Sequence, residues 1–172
     1  LQDFRPKSVP GSIGQVPRIL AAGQLRADKG FETAIRAVHA LALRGTPCVL
    51  TIAGEGDRKY LETLRRLAES GPAAVEFAGR VPHAAMPELY RSHDILVFPS
   101  EWSEPMGLVH LEAIACGTPV VSTRTGGSAE VIHDGENALA FDPGDVEGLA
   151  RALARLVCDP ELASRLAHTA RR

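Results

Sequence analysis

The spacing of hydrophobic positions alternates along the chain between the pattern of a buried strand and that of an amphipathic helix. Short uninterrupted apolar runs predict strands of a sheet that is covered on both faces. Between these runs, apolar residues recur three and four positions apart, as at Phe31, Ala34, Ile35 and Val38, which indicates helices. The predicted strands are residues 19–22, 49–53, 75–78, 95–98, 119–122 and 138–141.

Strands that alternate with helices predict a parallel sheet between two helical layers. We therefore predict an α/β fold, a Rossmann-like three-layer sandwich with a parallel six-stranded sheet. Residues 1–17 contain three prolines and two glycines and are predicted to be a linker or arm, while residues 18–172 form a domain of ordinary size. In such sheets ligands bind at the carboxyl ends of the strands, so the loops there should carry the chemistry.

Composition and residue spacing argue against nucleic-acid binding, a membrane span and a zinc site. The formal net charge of −2 lacks the basic excess of a general nucleic-acid surface. No apolar run approaches the roughly 20 residues that span a bilayer, and no histidine or cysteine pair has zinc-site spacing. We expect a cytoplasmic protein without a metal, with Cys48, Cys116 and Cys158 as small buried residues of a reducing compartment.

The loop after the fourth strand carries the strongest candidate chemistry. Glu104 lies in this loop, and Glu112 lies in the helix that follows, among apolar neighbours. A carboxylate in so apolar a helix is costly unless it has partners. Two carboxylates beside a helix N-terminus suit a ligand that carries hydroxyl and phosphate groups. The alternative is an ordinary exposed glutamate on an imperfectly buried helix.

Four other loops are weaker candidates. Residues 23–30 join a strand to a helix N-terminus, which attracts anions, and Lys29 adds a charge; a tight turn with a solvated lysine is the alternative. Residues 54–57 match only part of a dinucleotide fingerprint, because Lys59 occupies the third glycine position, so a plain turn is favoured. Residues 77–83 could contact a heterocycle and residues 125–130 a phosphate, or both could be plain loops.

In this order and spacing, the loops resemble the C-terminal domain of the large retaining glycosyltransferase family called group 1, or family 4. That family includes bacterial glycogen synthases and sucrose-phosphate synthases. Residues 4–6 resemble the segment after the family's first domain, and residues 23–30 resemble its phosphate loop. Glu104 and Glu112, with seven residues between them, match its E-x-seven-E motif. Residues 117–121 and 125–127 also resemble family sequences.

The resemblance implies a GT-B fold, in which two Rossmann-like domains enclose the active site and this chain is the C-terminal half. The activity implied is transfer of a sugar from a nucleoside diphosphate sugar with retention of configuration, without a metal or cofactor. Glu104 and Lys29 are the implied catalytic residues. The implied donor contacts are Gly23, Gln24 and Lys29 to the diphosphate, Glu112 to the ribose, Arg80 and Val81 to the base, and Glu104, Met106, Gly107 and Leu108 to the sugar.

One position departs from the family pattern. Arginine is usual where this chain has Gln24, and glutamine offers a neutral hydrogen bond but no charge; Arg26 is a candidate to compensate. The acceptor is expected to bind an N-terminal domain of the same protein. The longer protein is compatible with association at the inner membrane face and with cell-envelope or polysaccharide biosynthesis.

Three alternatives remain from the sequence. A nucleotide-sugar epimerase domain shares the fold but should show its catalytic carboxylates and histidine in a different order. A catalytically inert nucleotide-sugar-binding module is favoured by Gln24 and disfavoured by Glu104 and Glu112. A dinucleotide-dependent oxidoreductase is disfavoured by Lys59 at the third glycine position. The sequence does not distinguish uridine, guanosine and adenosine donors.

Overall fold

The computed structural model describes residues 4–103 and 107–171. Within these residues six strands form a single parallel sheet in the order third, second, first, fourth, fifth, sixth. The result confirms the predicted α/β fold and parallel six-stranded sheet. In chain order the strands are β1 (Arg18–Ala22), β2 (Val49–Ala53), β3 (Ala74–Gly79), β4 (Ile95–Phe98), β5 (Val120–Thr123) and β6 (Leu139–Phe141).

Helices follow every strand. Single-turn 3₁₀ helices at Ala27–Lys29 and His83–Ala85 precede the first and third α-helices. In the described ranges no helix is long and apolar enough to cross a membrane. The α-helices are α1 (Phe31–Leu43), α2 (Arg58–Glu69), α3 (Met86–Arg91), α4 (Leu108–Ala115), α5 (Ser128–Val131), α6 (Val146–Cys158) and α7 (Pro160–Thr169).

Two apolar clusters cover the two faces of the sheet. Ile19 belongs to the larger cluster, with side chains of α1, α2, α6 and α7. Leu20 belongs to the smaller cluster, with side chains of α3 and α4. Neighbouring strand residues enter opposite clusters because side chains alternate across a strand. Burial of each large aliphatic side chain contributes about 1.5–3 kcal/mol, so both faces stabilise the sandwich.

The strand order reverses next to β1, which pairs with β2 on one side and β4 on the other. Connections from these strands leave toward opposite directions along the sheet, so the loops after β1 and β4 separate and leave a crevice. Residues 23–30 follow β1, and residues 99–107 follow β4. The topology therefore brings the two loops of greatest chemical interest to the same edge.

The segment before β1 packs along the domain. Phe4 is buried, and the backbone amides of Lys7 and Gly11 donate to the carbonyls of Cys116 and Gly117, both at 3.0 Å. Burial lowers the pKa of Lys7, although the nearby Asp94 carboxylate partly opposes that shift. The role of residues 1–17 as a link to another domain stays a prediction.

The cysteine prediction is right for two residues and wrong for the third. Cys48 and Cys116 are buried, and burial raises the pKa of each thiol to about 11. Cys158 is exposed. It is the last residue of α6, whose buried stripe includes Leu153 and Leu156, and it falls outside the spacing of that stripe.

Candidate functional site

Two adjoining cavities open where β1, β2 and β4 end. We name them the Glu112 cavity, of about 520 Å³, and the Lys29 cavity, of about 320 Å³. Ala22, Gly23, Gln24 and Val109 line both, so the cavities share a wall and together suit one elongated ligand. The structure thus brings most of the predicted site residues together: Arg80, Val81 and Glu112 in the first cavity, and Lys29, Gly107 and Leu108 in the second.

Glu112 has the partners that its apolar helix requires. Its side chain is buried, with 7% of the residue exposed. The Tyr90 hydroxyl donates to Glu112 Oε2 at 2.8 Å, and His83 Nε2 donates to Glu112 Oε1 at 3.0 Å. The alternative of an ordinary exposed glutamate is therefore wrong. A fixed, buried carboxylate at the end of a cavity is an acceptor for ligand hydroxyls.

Tyr90 was not apparent from the sequence. It occupies an apolar position of α3, fully buried, and its backbone carbonyl accepts a hydrogen bond from the Thr118 hydroxyl at 2.8 Å. Burial raises the pKa of Tyr90, and the adjacent Glu112 charge raises it further, so the hydroxyl stays a proton donor. The Phe4 ring lies 6.2 Å from the Tyr90 ring and 5.5 Å from the His83 ring, centroid to centroid.

Arg80 and Val81 lie at the mouth of the Glu112 cavity, directly after β3. The Arg80 guanidinium lies 3.6 Å from Glu55 Oε1, and both side chains are exposed. Such a pair restrains a side chain only weakly. Arg80 can therefore reorient toward a ligand at low cost.

In the loop after β1, Arg26 is paired with Asp28, whereas Gln24 lines the cavities. Two hydrogen bonds, of 3.0 and 2.8 Å, tie the Arg26 guanidinium to the Asp28 carboxylate. Arg26 is not among the residues that line the two cavities, whereas Gln24 lines both. The expectation that Arg26 compensates for Gln24 stays a prediction, because its ion pair with Asp28 is partly exposed and restrains the side chain only weakly.

Glycines in these loops permit close approach of neighbouring backbones. A β-carbon at Gly54 would lie 1.8 Å from the Gly23 carbonyl oxygen, and one at Gly56 would lie 2.0 Å from that of Leu25. The loops after β1 and β2 thus touch directly. The sequence favoured a plain turn at residues 54–57, but Gly54, Glu55 and Gly56 line the Glu112 cavity. Gly30 has φ +68°, and a β-carbon there would lie 2.0 Å from the Pro99 carbonyl oxygen.

Two helices begin at the Lys29 cavity. The N-cap residues of α1 and α4 are Gly30 and Gly107, and neither has a side-chain capping hydrogen bond. Among the described residues no side chain caps these helix starts, and the helix dipoles favour negative charge there. The buried His110 ring, also not apparent from the sequence, lies 2.9 Å from the Gly107 carbonyl oxygen and 2.9 Å from the Ser122 hydroxyl.

Three further predicted positions remain: residues 125–127, Glu104 and Met106. Residues 125–127 line neither cavity; the Thr125 hydroxyl instead donates to the Ser100 carbonyl at 3.2 Å, which braces the start of the loop after β4. Glu104 and Met106 lie outside the described residues, so their roles stay predictions. Among described residues, no group of three or more histidine, cysteine and acidic side chains could hold a metal ion.

Comparison with known proteins gives the family. Residues 6–172 match the model of glycosyl transferases group 1. The chain belongs to this glycosyltransferase family. It is 35% identical to the glycogen synthase of Mycobacterium tuberculosis, over 97% of this chain and 39% of that protein. This member of group 1 therefore spans about two fifths of the length of the curated relatives that it matches.

Solved structures agree with this membership and with the predicted C-terminal domain of a GT-B glycosyltransferase. One is the C-terminal domain of a glycosyl transferase group 1 family protein (LpcC) from Francisella tularensis. It matches with TM-score 0.85 and 25% identity, over 99% of this chain and 93% of that one. Another, which shows the same fold, is Anabaena HepE in complex with UDP-glucose, with TM-score 0.85 and 23% identity, over 99% of this chain and 49% of that one.

Proposed function

We propose that this chain is the donor-binding domain of a retaining glycosyltransferase, which moves a sugar from a nucleoside diphosphate sugar to an acceptor. The observation that carries the proposal is the arrangement of charge along the two joined cavities. A buried carboxylate lies in one, and Lys29 with two uncapped helix N-termini lies at the other. A nucleoside diphosphate sugar presents matching groups in the same order, a ribose diol followed by two phosphates and a sugar.

The proposed contacts follow from this order. Glu112 accepts hydrogen bonds from the ribose hydroxyls, and Arg80 and Val81 border the base. Lys29, Gln24 and the first amides of α1 hold the diphosphate, because a cation and a helix N-terminus both favour negative charge. The start of α4 at Gly107 and Leu108 faces the diphosphate and the transferred sugar, to which Glu104 adds a contact.

The demanding step of the proposed reaction is departure of the diphosphate. The bond between the anomeric carbon and the phosphate oxygen breaks, and its electron pair stays on that oxygen. The acceptor hydroxyl forms the new bond on the same face of the sugar and passes its proton to the departing phosphate. Preorganised positive charge at Lys29 and at the helix N-termini stabilises the charge that develops. The acceptor would bind a further domain of a longer protein.

One observation favours a second function, a binding module without catalytic activity. Gln24 lines both cavities where the family pattern has a permanent cation. A neutral donor stabilises the departing diphosphate less than arginine does. Such a module would hold the same donor without transferring its sugar.

Calorimetry and a turnover assay test the proposal. We expect this chain to bind at least one of UDP, GDP and ADP, and to transfer no sugar from the matching glucose or mannose donors to simple acceptors. No binding of any nucleoside diphosphate would overturn the donor-binding role. Robust transfer by this chain alone would contradict its being half of an enzyme. Donor turnover by the longer protein distinguishes a transferase from the inert module.

A further inference from the structure

We propose that Tyr90 is a positioning residue that fixes the Glu112 carboxylate for a ribose diol, and that His83 is the partner that the diol replaces. This inference rests on the proposed function, because it assumes that the Glu112 cavity receives the ribose. It deepens that function by assigning different parts to the two side chains that contact Glu112.

The contact on Glu112 Oε2 is built into the core. Tyr90 has no solvent exposure, and its side chain packs in the smaller apolar cluster with Phe4. Its backbone carbonyl is tied to the Thr118 hydroxyl, which joins the end of α3 to the approach to β5. The 2.8 Å bond from the Tyr90 hydroxyl therefore holds one carboxylate oxygen in a set direction.

The contact on Glu112 Oε1 is of the opposite kind. The His83 side chain is 76% exposed and lies on the single-turn helix between β3 and α3. The 3.0 Å contact therefore joins an exposed imidazole to a buried carboxylate. The exposed imidazole can return to water when it leaves Glu112, so its exchange for another donor costs little as long as that donor satisfies Oε1. A ribose hydroxyl supplies such a donor and leaves Oε1 satisfied.

The two contacts together prepare the carboxylate before a ligand arrives. Because Tyr90 holds Oε2, the side chain loses little freedom when hydroxyl groups bind, and a preorganised site binds more tightly than one that must be ordered. Without the Tyr90 hydroxyl, a buried carboxylate oxygen loses its donor, and the carboxylate is free to turn away from the diol. The sensitive ligand groups are therefore the ribose hydroxyls, of which a 2′-deoxy analogue removes one.

The test compares each nucleoside diphosphate with its 2′-deoxy form. Calorimetry on the wild-type chain first selects the tightest binder among UDP, GDP and ADP. That ligand and its 2′-deoxy analogue are then titrated into Y90F, H83A and Y60F. Tyr60 is the matched control, because it is the other tyrosine of the chain and its buried hydroxyl makes no hydrogen bond with any residue the structure describes.

We expect wild type and Y60F to prefer the ribonucleotide strongly. Y90F should lose about tenfold or more in affinity for the ribonucleotide, as for a hydrogen bond to a charged group, and much less for the 2′-deoxy form. H83A should keep the preference and stay within about threefold of wild type. The preference for the 2′-hydroxyl should therefore nearly vanish in Y90F alone.

Several results would overturn the inference. A merely structural Tyr90 would make Y90F lose affinity equally for both ligands, and a loss in H83A as large as in Y90F would show that His83 is not exchangeable. If Y90F does not fold, the Y60F chain labelled with 3-fluorotyrosine reports on Tyr90 alone. Its fluorine resonance should shift more with the ribonucleotide than with the 2′-deoxy form, and equal shifts would contradict the proposal. Failure of every nucleoside diphosphate to bind wild type would instead refute the proposed function.

Discussion

The Glu112 cavity and the Lys29 cavity lie side by side but are built in different ways. Side chains of α3, α4 and the loop after β3 line much of the first, where Tyr90 and His83 hold the buried carboxylate. The second lies at the starts of α1 and α4, beside the close backbone contact between Gly30 and Pro99. A site made of side chains is sensitive to the loss of single atoms, whereas a site made of backbone is most sensitive to atoms that are added.

The largest effect, on stability, should come from adding one carbon to the backbone beside the Lys29 cavity. Gly30→Ala places a methyl group 2.0 Å from the Pro99 carbonyl oxygen in a left-handed conformation. We expect it to lower the free energy of unfolding by about 2–5 kcal/mol, through backbone strain and overpacking together. Urea denaturation of the purified chain measures this loss.

Gly45→Ala is the matched control for that loss. Gly45 also has a positive φ, +85°, but no atom lies within 4 Å of an added β-carbon. The cost should be only about 1–2 kcal/mol, the penalty of the left-handed conformation. Equal losses of unfolding free energy for the two variants would mean that the clash with Pro99 adds no cost.

Removal of the carboxylate from the side-chain-built cavity should affect binding next most strongly. Glu112→Ala and Glu112→Gln should each weaken nucleoside diphosphate binding by about 1.5–3 kcal/mol, or about ten- to a hundredfold. Glu112→Ala also leaves the Tyr90 hydroxyl without an acceptor, which costs stability of about 1–3 kcal/mol, whereas glutamine keeps an acceptor there. Calorimetry and thermal melts separate the two effects. If Glu112→Gln binds like wild type, the carboxylate does not contact the ribose.

Glu104→Ala should separate the contribution of the sugar to donor binding from that of the nucleotide. We expect the free nucleoside diphosphate to bind as in wild type and the sugar-bearing donor to bind about tenfold more weakly, because the proposed contact is with the transferred sugar. Parallel titrations of the two ligands measure the difference. Equal losses for both would contradict the role assigned to Glu104.

The smallest effect should be a gain in diphosphate affinity from a substitution in the Lys29 cavity. Gln24→Arg adds a permanent, bidentate cation where glutamine offers a neutral donor. We expect diphosphate binding to tighten by about 1 kcal/mol, since desolvation and side-chain ordering oppose the added attraction. The gain should shrink at higher salt and be larger for the diphosphate than for the monophosphate or nucleoside. Titrations at two salt concentrations measure it, and unchanged affinities would show that Gln24 does not face the phosphates.

Local patterns were sufficient to predict the fold. The apolar runs placed all six strands, because most of them are buried on both faces, and they placed β4 at its observed bounds; only the edge strand β3 is largely exposed. The same logic singled out Glu112, a charged residue in an apolar helix. The burial of Cys158 was predicted wrongly because the last residue of a helix can lie outside its buried stripe.

Contacts between distant residues could not be predicted in this way. Tyr90 and His83 lie 22 and 29 residues from Glu112, and nothing local distinguishes Tyr90 from an ordinary core tyrosine. Gly54 and Gly56 were visible as a glycine pair, but their physical reason, contact with the loop after β1, depends on the order of strands in the sheet. The site residues missed are those whose partners come from another element.

The central claim is that one ligand spans both cavities, and a backbone amide NMR titration tests it most directly. The nucleoside, monophosphate and diphosphate of the tightest-binding base are added in turn to the labelled chain. We expect the nucleoside to shift amides around Val81 and Glu112, and the diphosphate to shift in addition those of Phe31 and Leu108, at the starts of α1 and α4. Diphosphate shifts confined to the Glu112 cavity, or lying away from both cavities, would contradict the account.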